Sequence, residues 1–176
     1  MRHLATVIVV MALATALTTG AARAEPRGFA IGSRPVWFVT GGVTAGGTVA
    51  RAERGPLIGG ELGLARVRDR HVLGAYVDVY RDFGVDGTMV TAGPELALVR
   101  RSLRLPLAVG VDGGGALRLG ADAGVGATGR VFVTVAGALS VYGRYVFIDG
   151  AADRHAVQVG VTLKFPLLAP FGADLR

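Results

Sequence analysis

Two histidines, His71 and His155, are the only imidazoles beyond His3, so any hydrolytic or acyl-transfer chemistry would draw its general base from them. No serine adjoins His155. Ser140 becomes a nucleophile for it only if a hairpin joins the two, which would make the chain an acyl hydrolase working on lipid. The chain has no cysteine, which removes thiol catalysis, thiolate metal sites and a disulfide scaffold. No histidine and carboxylate grouping has metal-ligand spacing. Gly124-Val125-Gly126-Ala127-Thr128-Gly129 matches G-x-G-x-x-G, with Asp149 twenty residues further on. A dinucleotide site also needs a helix N-terminus after the glycines. Residues 130–147 instead alternate like a strand and are rich in valine, which favours a Gly-rich hairpin. Asp82, Asp86, Asp149 and Asp153 fall in expected loops and could hold calcium, although Asp-Gly turns use such residues for backbone reasons alone. Solvated loop histidines and turn aspartates account for all of these, so the expectation is no enzyme, no metal and no cofactor.

Charge and composition narrow the class further. The net charge of +6 comes from arginines dispersed along the chain with a single lysine, Lys164, and this is not the concentrated stripe of a nucleic-acid binder. The basic turns Arg66-Val67-Arg68-Asp69-Arg70 and Arg100-Arg101 could touch anionic lipid or peptidoglycan, or be solvated turns. Hydrophobic residues make up 51% of the chain, high for a soluble protein, yet Arg, Asp, Glu, Thr and Gly interrupt every stretch before it reaches the eighteen or more residues of a membrane helix. The N-terminus reads as an export signal. Met1-Arg2-His3 is a basic start, residues 4–17 are almost wholly apolar, and Ala22-Arg23-Ala24 is an A-x-A cleavage site before Glu25-Pro26. Cleavage after Ala24 removes Arg2 and Arg23 and lowers the charge from +6 to +4. The expected organisation is a signal peptide over 1–24, an extension over 25–35, a barrel over 36–165 and a tail over 166–176.

From Val36 onward the apolar residues recur with period two, so successive side chains face opposite ways. In residues 157–165 every odd position is apolar and every even one is polar or glycine. Leu73, Ala75, Val77 and Val79 likewise oppose Gly74, Tyr76, Asp78 and Tyr80. The same rule marks segments beginning at Trp37 and at Ile58, then 90–98, 103–112 and 117–125, and a long seventh from Val131 to about Phe147. Eight strands result. Between them lie turn residues, among them Arg68-Asp69-Arg70, Asp112-Gly113-Gly114-Gly115, Thr128-Gly129 and Asp149-Gly150, all short enough for antiparallel hairpins. No intervening segment has helical period, so the class is all-β, an antiparallel up-and-down barrel.

The polar face decides what the apolar face meets. A soluble barrel would coat it with Lys, Glu, Ser and Asn, whereas here it is mostly Gly, Ala and Thr with one or two charges per strand. That suits the narrow lumen of an eight-stranded barrel whose outside meets lipid. The expected lumen network is Glu61, Asp78, Glu95 and Asp122 against Arg104, Arg118, Arg144 and Lys164, balanced because unpaired buried charge is costly. The expected lipid-facing set is Leu73, Val77, Leu107, Val133, Val159 and Leu163. Trp37, Phe132 and Phe165 fall at periplasmic strand ends, and Tyr80, Phe83, Tyr145 and Phe147 at outer ends, as two partial interface belts.

The export signal, the eight alternating segments and the 157–165 strand together resemble the small outer-membrane β-barrel proteins of Gram-negative bacteria. The resemblance implies a transmembrane barrel in the outer membrane, with lipid and the barrel assembly machinery as partners and no nucleic acid. It also implies that Phe165 stands for the terminal aromatic residue read by that machinery. Here eleven residues follow Phe165, a departure from the pattern. Adhesins, enzymes and structural barrels share this architecture, so the surface ligand stays open. The leading expectation is a non-enzymatic barrel with a packed lumen, eight strands being too few for a porin-like pore. The alternatives are a soluble periplasmic barrel with an apolar ligand cavity, its faces reversed, and the lipid acyl hydrolase.

Overall fold

The computed structural model describes residues 35–50, 54–102, 105–120, 122–151 and 154–168. The expected signal peptide, nearly all of the extension, Arg104, Asp153 and residues 169–176 of the tail lie outside them. The strands are β1 Val36–Ala50, β2 Arg54–Arg68, β3 His71–Asp82, β4 Gly87–Ser102, β5 Leu105–Leu119, β6 Gly124–Val135, β7 Leu139–Asp149 and β8 His155–Pro166. Each pairs antiparallel with the next, and β1 pairs with β8, so the sheet closes into a barrel. Closure gives every strand a neighbouring strand on both sides. The start of β1, the end of β8 and the β2–β3, β4–β5 and β6–β7 connections lie at one end, here the near end; the other connections lie at the far end.

Eight strands form, but three of them are divided differently from the sequence expectation. Asp112-Gly113-Gly114-Gly115 is not a turn: β5 runs straight through it, and β6 runs through Thr128-Gly129. The expected sixth strand, 117–125, is therefore the end of β5, a turn and the start of β6, and the expected long seventh is broken at Ala136-Gly137-Ala138. The glycine run was ambiguous because glycine serves tight turns and close backbone contacts alike. Here it serves contact, since a Cβ on Gly114 would overlap the Ala92 carbonyl and one on Gly93 would overlap that of Gly113. Positive φ occurs instead at Gly120, Gly137 and Gly150, outside the strands. Alternation kept one phase through both readings, so periodicity could not separate them.

Alternation sorts the side chains cleanly. In β3 Tyr76, Asp78, Tyr80 and Asp82 are buried while the odd-numbered residues from His71 to Arg81 are exposed. The interior is not filled by small residues and charges alone. Leu57, Tyr80, Met89, Ala116, Val146, Ile148 and Ala151 form an apolar plug toward the far end. Ala97, Phe132 and Tyr142, with Val72 and Ala108, form a second toward the near end. Two belt expectations are corrected here: Tyr80 and Phe132 point inward, because each occupies the charged-residue phase of its strand.

Candidate functional site

Between the two plugs lies a layer of charge. The register sets Glu61 directly opposite Asp78 on β2 and β3, and Arg130 directly opposite Arg144 on β6 and β7. Like charges placed so repel, and neighbouring strands alone would not hold them. Their attraction runs across the lumen. Arg130 on β6 pairs with Glu61 on β2, and Arg144 Nη2 reaches Asp78 Oδ2 on β3 at 2.5 Å. Each partner lies four strands away around a ring of eight, so these pairs bridge the barrel. Arg130 Nε also bonds Asp112 Oδ2 on neighbouring β5 at 2.5 Å, and Arg130 Nη2 lies 3.9 Å from Glu95 Oε2. Lys164 Nζ completes the layer at 2.8 Å from Glu61 Oε1 and 3.6 Å from Glu95 Oε2.

Aromatic faces sandwich the cations. The Arg130 guanidinium lies 4.8 Å from the Tyr76 ring centroid, and that of Arg144 lies 5.0 Å from Tyr80 and 5.2 Å from Tyr142. Each such contact contributes on the order of 0.5–2 kcal/mol, more when desolvated. Above the layer Asp82 accepts hydrogen bonds from Thr48 Oγ1 at 2.7 Å and Gln158 Nε2 at 3.3 Å, and Tyr80 donates to Gln158 Oε1 at 3.0 Å. A cavity of about 20 Å³ lined by Asp82, Arg118 and Gln158 has room for one water and no more.

The expected network is thus partly assembled. Glu61, Asp78, Glu95, Arg144 and Lys164 meet in one layer. Arg118 points inward but sits by the far end, where Nη2 donates to the Val85 carbonyl at 2.5 Å. Asp122 is corrected: it lies in the β5–β6 turn, 3.6 Å from Arg118 and half exposed, because that turn begins where a strand was expected. Arg130 and Asp112, central to the layer, were missed for the same reason, since the expected turns at Asp112-Gly113 and Thr128-Gly129 placed both at strand ends. Of the expected outward residues, Leu73, Val77, Val159 and Leu163 are exposed and Leu107 and Val133 half-buried. Trp37, half-buried, packs on Arg66; Tyr145 stacks on His155 with centroids 5.9 Å apart, next to Phe147; Phe165 is exposed.

The candidate chemistries are dispersed. Ser140 is opposite Thr162 and faces inward, hydrogen-bonded to Thr134, whereas exposed His155 is opposite Phe147. Seven residues separate the two pairs along the strands, roughly 23 Å, so the hairpin does not join them. His71 is exposed beside the β2–β3 turn. The aspartates separate too: Asp82 is buried, Asp86 pairs with Arg81, and Asp149 accepts from the Gly150 amide. No group of three His, Asp or Glu suited to a metal occurs among the described residues. The glycine fingerprint lies within β6 rather than in a hairpin, with Gly124 and Gly126 pressed against the β7 backbone. A reversed barrel is also ruled out by geometry, since the apolar face is outside and the lumen is filled by charged and aromatic side chains.

Outside, a groove of about 330 Å³ crosses β1–β3 and the end of β8. Gly41 and Gly60 form its floor. Leu62, Val79, Phe165 and Leu167 are among its walls, and the Leu167 amide donates to the Val39 carbonyl at 2.9 Å just past β8.

No family model matches the chain, and no curated protein matches it in sequence. Among solved structures it is similar in fold to the crystal structure of Neisserial surface protein A, with a TM-score of 0.54 and 9% identity over 73% of this chain and 95% of the other. The fold of this chain is accordingly the closed eight-stranded antiparallel barrel that a bacterial surface protein also adopts.

Proposed function

We propose that the chain is exported, loses residues 1–24, and spans a bacterial outer membrane as a barrel with a packed lumen, acting structurally or through its far-end loops at the cell surface rather than as an enzyme. The observation that carries this reading is the outer face. Val43, Ile58, Leu62, Leu73, Leu96, Leu98, Val111, Val159 and Leu163 are each about half exposed around the closed sheet, far more apolar surface than a soluble monomer presents. Every strand has at least the nine to eleven residues of a tilted span. Cross-lumen ion pairs and two apolar clusters occupy the lumen among the described residues, which favours a non-conducting barrel over a pore. The far-end connections would then face the exterior, and the basic near-end turns the periplasm.

The test is fractionation of the producing cells, followed by electrophoresis of the outer-membrane fraction with and without boiling. A heat-dependent band in that fraction is the expected result; a soluble periplasmic protein without such a shift would overturn the reading.

A further inference from the structure

We infer that the outer groove over β1 and β2 holds one acyl chain of an anionic phospholipid from the near-end leaflet, with its phosphate against Arg66. This rests on the membrane reading above and deepens it by naming a specific lipid. The groove exists because two outward positions lack side chains. A Cβ on Gly60 would meet only the Gly42 carbonyl, at 3.4 Å, so the floor is open. Over Gly41, the Phe165 and Leu167 side chains lean to within 3.0 and 3.1 Å of where a Cβ would stand, which closes one wall. The resulting volume, about 330 Å³, is at the low end of the range for ligand sites, and its lining is mostly apolar, with Glu61 its one charged residue.

Charge marks the direction from which the occupant comes. Gly41 is opposite Leu62, and four residues nearer the chain ends Trp37 is opposite Arg66, roughly 13 Å along the strands. Both lie on the outward phase, the Arg66 guanidinium 5.8 Å from the Trp37 ring. Arg66 Nε has no protein hydrogen-bond acceptor, and among the described residues no salt bridge to a carboxylate is formed by Arg66. Arg68 and Arg70 continue the basic rim beside it, against Asp69 alone. A headgroup phosphate at Arg66 places a chain of ordinary length along the strands and into the groove. A zwitterionic headgroup offers the same phosphate but carries its own cation beside it, so a net anionic headgroup gains more from this rim.

Trp37 is the only tryptophan of the chain, so it reports on this site by itself. The refolded full chain is placed in phosphatidylcholine vesicles with the same fraction of brominated phosphatidylglycerol or brominated phosphatidylcholine, and quenching is ratioed to unbrominated vesicles. The expected result is a preference for phosphatidylglycerol of roughly fivefold, the factor one arginine near an anionic surface provides. It should be lost in Gly60→Val, which fills the groove outward, and in Arg66→Gln, while both variants keep the heat-dependent band. Equal quenching by the two lipids, or a preference that survives Gly60→Val, would overturn the proposal. So would a disulfide-linked dimer of Gly60→Cys in the otherwise cysteine-free chain, which would assign the groove to a second copy. Absence of both quenching and the heat shift would instead mean that the membrane reading itself had failed.

Discussion

Two ion pairs in the same layer live in different surroundings. Arg144 and Asp78 are wholly shielded, both side chains at 0% exposure, whereas Lys164 and Glu95 on the near-end side keep 12% and 13%. The sealed pair has given up hydration on both partners, and Arg144 Nε and Nη1 have no protein acceptor. The semi-open pair retains some water and shares its charge with Glu61 and Arg130. Burial is therefore expected to set which pair the barrel tolerates losing one member of. A shielded pair is worth little against an apolar substitute of the same shape, but losing only one member strands a charge. A largely buried pair that keeps some water and a second partner loses less when one member is removed.

The largest expected effect follows directly. Asp78→Leu should destabilise the refolded barrel by about 3–5 kcal/mol in urea unfolding, because Arg144 is left alone. Adding Arg144→Met should recover most of that loss; a double variant as unstable as the single one would break the comparison. Next is the outer face. Val159→Arg should cost about 2–4 kcal/mol if it meets the bilayer midplane, read as loss of the heat-dependent band or of membrane insertion. An unchanged band would count against lipid contact there. Glu95→Gln should shift the midpoint by about 1 kcal/mol or less, since Lys164 keeps Glu61 at 2.8 Å. A loss as large as that of Asp78→Leu would show that exposure does not govern the layer. Smallest is Asp122→Asn, expected within about 0.5 kcal/mol because the side chain is half exposed in a turn.

Particular elements show where reading from sequence worked. Strand β8 was legible because residues 157–165 alternate without a break and one inward residue, Lys164, carries the charge. Strands β5 and β6 were not, because Gly113-Gly114-Gly115 has the composition of a turn and the geometry of a close strand contact. That one ambiguity displaced Asp122 into the lumen and removed Arg130 and Asp112 from it. Tyr80 and Phe132 were misplaced for another reason: aromatic residues near strand ends suit an interface belt, but their own phase in β3 and β6 turns them inward.

The amino-acid sequence by itself determined the strand number, the class and the sorting of two faces, because period-two alternation is local and a pleated strand has no other way to separate apolar from polar side chains. Only the tertiary structure decided which charges pair. Arg130 meets Glu61 across 69 residues and Arg144 meets Asp78 across 66. Those partners are set by barrel closure and register, which bring strands four apart face to face across a lumen too narrow for the charges to remain separate.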